Sequence, residues 1–148
     1  MEIEFRQAVR GDLEELRRIE EACFCDPWTE DMLEEELRTP HSKYALMIVD
    51  GEVAGYYSYM HILDEAHILN VAVLPAYQGR GLGSRMMAHL LADLPEDVAA
   101  VTLEVREGNA VARHLYEKCG FVAAGIRPKY YMDGENAVIY WYRRSVDC

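Results

Sequence analysis

The sequence predicts a single-domain α/β fold with a mixed central sheet of about seven strands and about four helices on both faces of the sheet. Apolar, β-branched runs alternate with stretches of helical apolar spacing, which indicates strands interleaved with helices. The connections combine a tight hairpin turn with crossovers through helices, so antiparallel and parallel pairs are both expected. A length of 148 residues suits one domain that covers residues 1–148.

Seven segments have the composition and spacing of strands. In chain order they are residues 3–8, 44–49, 53–61, 67–74, 100–106, 121–127 and 137–143. Asp50-Gly51 lies between the second and third segments and is a strong signal for a two-residue hairpin turn. The helical stretch that follows the fourth strand predicts that the fourth and fifth strands are parallel neighbours.

Two helices are predicted in the first 40 residues. The first follows Asp12, which forms the pattern of a capping box with Glu15, and extends to about residue 24. Thr29 can cap a second, short helix, which we expect to end near Pro40.

Two further helices follow the fourth and fifth strands. Apolar spacing predicts one of them over residues 81–93 and the other over residues 110–118. Asn109 is the expected N-cap of the last helix, and Gly120 is its expected C′ glycine.

The charge distribution limits the kinds of partner that the protein is expected to bind. The net charge is −11, and residues 1–40 carry thirteen acidic residues against five arginines. Such a field repels nucleic acid and attracts cationic partners, although two solvated helix faces would give the same pattern. We expect no membrane contact, because no run of 18 apolar residues occurs, and a cytoplasmic protein, because the acidic start lacks the form of a signal peptide.

The cysteines do not indicate a metal site. Cys23, Cys25, Cys119 and Cys148 form no Cys-x-x-Cys motif, and no histidine pair lies near them at zinc spacing. We interpret them as reduced thiols, with Cys119 as a small core residue, and expect no bound metal.

A glycine-rich turn lies between the fourth strand and the third helix. Its glycines are Gly79, Gly81 and Gly83, and it is neither a P-loop nor a Gly-x-Gly-x-x-Gly dinucleotide fingerprint. Glycines let the backbone approach a ligand closely, and the following helix N-terminus favours phosphate. The alternative is a strand–helix connection without a ligand.

Two motifs together resemble the N-acetyltransferases of the GNAT family. They are Gln78-x-x-Gly81-x-Gly83 and, over residues 109–121, the pattern Asn-x-x-Ala…Leu-Tyr-x-x-x-Gly-Phe. Within the family the chain is most like the RimI-type ribosomal-protein-alanine N-acetyltransferases, in segments 27–29, 69–73, 103–106 and 127–131. The resemblance covers nearly the whole chain, with one departure: Asn136 stands where the family often has aspartate.

The resemblance implies acetyl-CoA as co-substrate. The cofactor-binding residues it implies are Val71, Ala72, Val73, Gln78, Gly79, Arg80, Gly81, Leu82, Gly83, Ser84 and Asn109. It further implies that Val71 and Val73 leave backbone groups unpaired for the pantetheine and the thioester oxygen. A backbone N–H aimed at that oxygen would act as an oxyanion stabiliser.

Two residues are expected to move protons. Glu104 is the candidate base, which is useful because an α-amine with a pKa of about 7.7–8.0 is mostly protonated at neutral pH. Tyr116 is the candidate acid for the departing thiolate. The alternatives for Glu104 are a salt bridge with Arg106 or an exposed strand position, and the alternative for Tyr116 is a half-buried core tyrosine. His67 is interpreted as structural.

The acceptor side is less well defined. The resemblance implies that three aromatic residues bind the end of a peptide: Trp28, Tyr130 and Tyr131. It implies that this peptide end is the N-terminal alanine of the eighteenth protein of the small ribosomal subunit, or of another basic protein. A GNAT acetyltransferase of a small amine or antibiotic, or a non-catalytic acyl-CoA-binding domain, are the alternative functions. The oligomeric state is left open, with a monomer favoured.

Overall fold

The computed structural model describes residues 1–144 and has the predicted order of elements. The strands are β1 (Ile3–Gln7), β2 (Ser42–Val49), β3 (Glu52–Ile62), β4 (Glu65–Val73), β5 (Ala100–Arg106), β6 (Val122–Arg127) and β7 (Ala137–Arg143). The helices are α1 (Leu13–Cys23), α2 (Glu30–Leu37), α3 (Leu82–Asp93) and α4 (Ala110–Lys118), with short 3₁₀ turns at Arg10–Asp12 and Pro75–Tyr77. Cys148 lies outside the described residues.

Within residues 1–144 the strands form a seven-stranded mixed sheet in the order β1-β2-β3-β4-β5-β7-β6. The fold class is therefore confirmed, including the parallel pair of β4 and β5, which runs from Glu65–His67 to Ala100–Thr102. The last strand, β7, pairs antiparallel with both β5 and β6. The chain divides into two compact units, Met1–Met60 with Leu69–Ala92, and His61–Ile68 with the residues from Asp93 onward. The single domain over residues 1–148 stays a prediction.

The first unit has helices on both faces of its strands. The apolar sides of α1 and α2 pack over side chains of β2, β3 and β4, in a cluster that includes Leu16, Leu33, Leu46, Tyr56 and Ala72. On the opposite face, Tyr57 Oη lies 3.0 Å from Nδ1 of His89 in α3, and Phe5 stacks on the same imidazole. Because Tyr56 and Tyr57 are consecutive residues of a strand, they point to opposite faces and bring helices to each.

Glycine is required at two places in this unit. Asp50 and Gly51 both have positive φ, as the predicted two-residue hairpin turn demands. A Cβ on Gly55 would collide with the carbonyl oxygen of Ala72, so this glycine allows β3 to approach β4 closely. The close approach at Gly55 lies at the end of β4, from which the glycine-rich turn departs.

The predicted capping box at the start of α1 is wrong. Asp12 precedes the helix, but its carboxylate reaches back to the Arg6 guanidinium at 2.8 and 2.9 Å and to the Val9 N–H at 2.8 Å. Glu15 instead pairs with Arg18 on the surface. The 3₁₀ turn before the helix orients the Asp12 side chain toward β1, so it ties the helix to the sheet rather than capping it.

We expect Asp12→Ala to lower the free energy of unfolding by about 1–3 kcal/mol, because the substitution removes a nearly buried carboxylate that accepts from the Val9 N–H and from the Arg6 guanidinium. Glu15→Ala, the control, should change it by less than about 0.5 kcal/mol, since its pair is exposed. Urea unfolding at pH 7 measures both. Arg6 holds the pKa of Asp12 below its ordinary value, so the stabilisation is present at neutral pH and is lost as the pH falls through that lowered pKa. An equal loss in the two variants would contradict this assignment.

In the second unit α4 packs against β7 through aromatic rings. Tyr116 contacts Phe121 and Tyr140, with ring centroids 6.0 and 6.3 Å away. Gly120 has φ +99° directly after the helix, which confirms it as the C′ glycine. These contacts fix the helix that carries the candidate acid.

Candidate active site

The glycine-rich turn in the first unit has the features of an anion site. Gly79 and Gly81 have φ of +82° and +75°, and a Cβ on either would meet no atom within 4 Å. The backbone here therefore faces open space in a conformation that side chains disfavour. Leu82 is the first residue of the 12-residue helix α3 and is buried, which anchors the turn.

The residues around this turn fit a pyrophosphate. The N–H groups of the first turn of α3, at Leu82, Gly83 and Ser84, have no acceptor within the helix, and the helix dipole places positive charge there. Gln78 folds back, and its Nε2 donates to the Val73 carbonyl at 2.9 Å. Arg80 lies over the ring of Tyr77, so its guanidinium stays beside the turn.

The end of β4 differs from one expectation. The Val73 carbonyl is not unpaired, because it accepts from Gln78 Nε2 and from Cys23 Sγ at 3.4 Å. The glutamine side chain spans the 3₁₀ turn and reaches this carbonyl five residues back, which the linear sequence did not reveal. Ala72 is buried and Val71 is half-buried, so their side chains belong to the core and only backbone groups could bind a ligand.

Trp28 is held in the first unit by a buried carboxylate. Glu20 is only 1% exposed, and it accepts from the Trp28 N–H at 3.0 Å and from Tyr56 Oη at 2.7 Å. Burial raises the pKa of Glu20. The indole of Trp28 packs against the core cluster of α1 and α2, so at most part of it can contact a substrate.

Glu104 in the second unit lies on β5, on the face opposite its buried neighbours Leu103 and Val105. Its Oε2 lies 2.5 Å from His67 Nε2, and its Oε1 lies 3.8 Å from Arg127 Nε. The His67 imidazole, with a smaller contribution from Arg127, holds the pKa of Glu104 below its ordinary value. Glu104 is therefore an ionised carboxylate at neutral pH, the form that can accept a proton.

Arg106, the alternative partner of Glu104, binds two other carboxylates. Arg106 lies two residues further along the same face, but its Nη1 donates to Asp133 at 2.8 Å and to Glu135 at 3.0 Å. The guanidinium is thus held by the loop between β6 and β7, where it also covers the ring of Tyr131 at 4.1 Å.

Tyr116 and Asn109 occupy the predicted positions of α4. Asn109 Oδ1 accepts from the Ala112 N–H at 3.1 Å, which confirms it as the N-cap. Tyr116 is 8% exposed, and burial raises its pKa, so the phenol keeps its proton through the neutral range. Cys119, expected in the core, is half-buried.

The two tyrosines after β6 form an aromatic pair. Tyr130 and Tyr131 pack edge to face with centroids 5.1 Å apart, and Arg127 lies over the Tyr130 ring. Burial raises the pKa of Tyr131 to about 12. Asn136, the departure from the family pattern, accepts from the Lys129 N–H and so shapes this loop.

The site residues thus fall into two groups. Trp28, Val71–Val73 and Gln78–Ser84 belong to the first unit, and Glu104, Asn109, Tyr116, Tyr130 and Tyr131 belong to the second. Sequence analysis missed His67, interpreted as structural, although the predicted parallel pairing of the fourth and fifth strands carried a signal. In the observed register His67 lies opposite Thr102. Thr102 and Glu104 are two residues apart on β5, so their side chains lie on the same face of the sheet.

Residues 1–144 contain no group of three or more His, Cys, Asp or Glu side chains that could hold a metal ion. In the same part of the chain, no helix is both long and apolar enough to cross a membrane.

Comparison with known proteins gives concordant matches. The profile of the family described as Acetyltransferase (GNAT) matches residues 13–121. The [ribosomal protein bS18]-alanine N-acetyltransferase of Escherichia coli K12 is 38% identical over 132 residues, which are 86% of this chain and 88% of that protein. The N-alpha-acetyltransferase RimI of Mycobacterium tuberculosis is 34% identical over 92% of this chain and 88% of its own. The crystal structure of the ribosomal-protein-S18-alanine N-acetyltransferase from Escherichia coli superposes with a TM-score of 0.90 at 33% identity, covering 99% of this chain and 97% of that one.

Proposed function

The chain belongs to the GNAT family of acetyltransferases, and we propose that within it the protein is an N-alpha-acetyltransferase, which acetylates the free N-terminal amine of a protein. GNAT acetyltransferases use acetyl-CoA. The observation that carries the proposal is the 38% identity, over 86% of the chain, to relatives named as ribosomal protein bS18-alanine N-acetyltransferases.

The proposed acceptor is an N-terminal alanine followed by a basic sequence. The alanine comes from the names of these relatives, with the N-terminal peptide of ribosomal protein bS18 as the first candidate. The charge supports a basic partner, because the first 40 residues carry an excess of eight negative charges. Tyr130 and Tyr131, with Trp28, are the proposed contacts for the peptide end.

In the proposed mechanism the turn from Gly79 to Ser84 holds the pyrophosphate through backbone N–H groups. Acetyl-CoA, when bound, supplies the acetyl group as a thioester. The remaining cofactor contacts are proposed for backbone groups of Val71 to Val73 and for Gln78 and Asn109.

The protons are handled by two side chains. A carboxylate oxygen of Glu104 accepts the proton of the ammonium form of the acceptor, directly or through one water, which leaves a free amine. Burial keeps the Tyr116 phenol protonated until the thiolate leaves, and Tyr116 Oη then gives its proton to that thiolate. The resulting phenolate takes back, directly or through water, the second proton that the nitrogen loses as the amide forms. Cysteine nucleophiles are not required, because the amine can attack the thioester directly.

A coenzyme-release assay with four acceptors tests the function. They are a basic peptide with a free N-terminal alanine, the same peptide acetylated in advance, a lysine peptide with a blocked N-terminus, and spermidine. We expect kcat/KM on the free alanine peptide to exceed that on each other acceptor by about 100-fold or more, since the site must recognise the amine together with its peptide. A neutral alanine peptide of equal length is the control for charge. Faster turnover of spermidine or of the blocked lysine peptide would overturn the proposal and indicate a different acceptor.

A further inference from the structure

His67 and Glu104 form a close imidazole–carboxylate pair in the second unit. The parallel ladder of β4 and β5 places His67 opposite Thr102, and Glu104 follows two residues later on the same face. Nε2 of the imidazole lies 2.5 Å from Oε2 of the carboxylate. The Glu104 side chain is 10% exposed, whereas that of His67 is 35% exposed, so the imidazole can exchange protons with solvent.

The charged groups around this pair act on both carboxylate oxygens. Oε2 is engaged by His67, and Oε1 lies 3.8 Å from Arg127 on β6. Tyr131, from the loop after β6, is the third titratable group that interacts with Glu104, and burial raises its pKa to about 12, so it is neutral in the physiological range. Arg127 keeps its charge, whereas an imidazole can be neutral or charged, so His67 can present either charge state to Glu104.

We propose that His67 is a positioning residue for the reaction assigned above: its Nε2–H holds Glu104 in one orientation, and its charge switches the basicity of that carboxylate. The inference rests on the proposed function only in taking Glu104 as the base. With a charged imidazolium beside it, the carboxylate is stabilised as an anion and is a poor proton acceptor. When His67 loses its second proton, the hydrogen bond and the orientation remain, but the opposing charge is gone and the carboxylate becomes a stronger base.

Two substitutions separate orientation from charge. His67→Gln keeps an N–H donor that can reach Glu104 but cannot titrate. We expect this variant to retain kcat within about fivefold at pH 8. The acid limb of its kcat profile should lie about one pH unit or more below that of the wild type. His67→Leu keeps the bulk but has no donor, so we expect kcat to fall by at least about tenfold at every pH.

His61→Gln is the matched control. His61 is also a histidine of the second unit beside a carboxylate, with Nε2 3.4 Å from Asp97 Oδ1, and its side chain is 27% exposed. The kcat profile of this variant should superimpose on that of the wild type. NMR titration of the Glu104 carboxyl carbon tests the same role in the free enzyme. His67 lowers the pKa of Glu104, so that pKa should rise in both His67 variants. It should stay unchanged in His61→Gln.

The outcomes are distinct. An unchanged pH profile in His67→Gln, an unchanged kcat in His67→Leu, or an unchanged Glu104 titration in both would overturn the role of His67. The profiles are measured with whichever acceptor the wild-type enzyme acetylates, so a different substrate would refute the proposed N-terminal specificity without affecting this test. Thermal midpoints and the Kd for acetyl-CoA, measured for each variant, identify losses of fold.

Discussion

Tyr116→Phe should lower kcat by about 100-fold while the Kd for acetyl-CoA changes by less than about twofold, because the substitution removes a general acid and leaves the ring in place. The ring makes the packing contacts with Phe121 and Tyr140, and these do not involve the hydroxyl. Burial raises the pKa of Tyr116, so the phenol stays protonated through the neutral and mildly basic range. The wild-type kcat profile should therefore show no basic limb from this group.

Tyr140→Phe is the control, since it removes another phenol of the same aromatic cluster. Tyr140 Oη donates to Glu117 at 2.6 Å and accepts from Arg113 Nε at 3.1 Å. Loss of the Tyr140 hydroxyl should lower the free energy of unfolding by about 1–3 kcal/mol but leave kcat within about twofold of the wild-type value. Steady-state kinetics with saturating acetyl-CoA, together with urea unfolding, measure both effects. Tyr116 is not the acid if its variant keeps the wild-type kcat, or if both variants lose activity to the same extent.

Much of the fold could be predicted because the signals are local. The bounds of β5, α4 and β7 match the prediction at both ends, since caps and strand-forming runs mark them in the sequence itself. The hairpin at Asp50-Gly51 needs two positive φ values, which these two residue types supply. The capping box failed for the opposite reason: the partner of Asp12 is Arg6 on a strand, and no local pattern reports such a contact.

The sequence could predict a site residue only where its type and its spacing along the chain indicate its role. Alternation along β5 separated Glu104 from its apolar neighbours, but alternation cannot reveal which residue of an adjacent strand lies opposite. Arg106 was the nearest cation in sequence, whereas the contact between Glu104 and His67 joins residues 37 positions apart through the parallel register. The hydrogen bond from Gln78 to the Val73 carbonyl could not be predicted from the sequence either, because it depends on how the 3₁₀ turn folds back.

Gly81→Val should weaken acetyl-CoA binding by more than about 100-fold, which corresponds to the loss of two charge-assisted hydrogen bonds of about 1.5–3 kcal/mol each. Gly81 has φ +75°, a region that a β-branched residue disfavours, so the turn must change its backbone conformation. The N–H groups at the start of α3 would then no longer converge on the pyrophosphate. Isothermal titration with acetyl-CoA, in the absence of an acceptor peptide, measures this loss directly.

Gly51→Val separates loss of binding from backbone strain. Gly51 has φ +85°, and a Cβ there would also meet no atom within 4 Å, so both substitutions impose the same kind of strain without a clash. Each should lower the free energy of unfolding by about 1–3 kcal/mol. Only Gly81→Val should abolish tight acetyl-CoA binding, because only that glycine lies at the proposed phosphate turn. If Gly81→Val kept wild-type affinity, or if Gly51→Val lost affinity equally, the turn from Gly79 to Ser84 would not be the phosphate site.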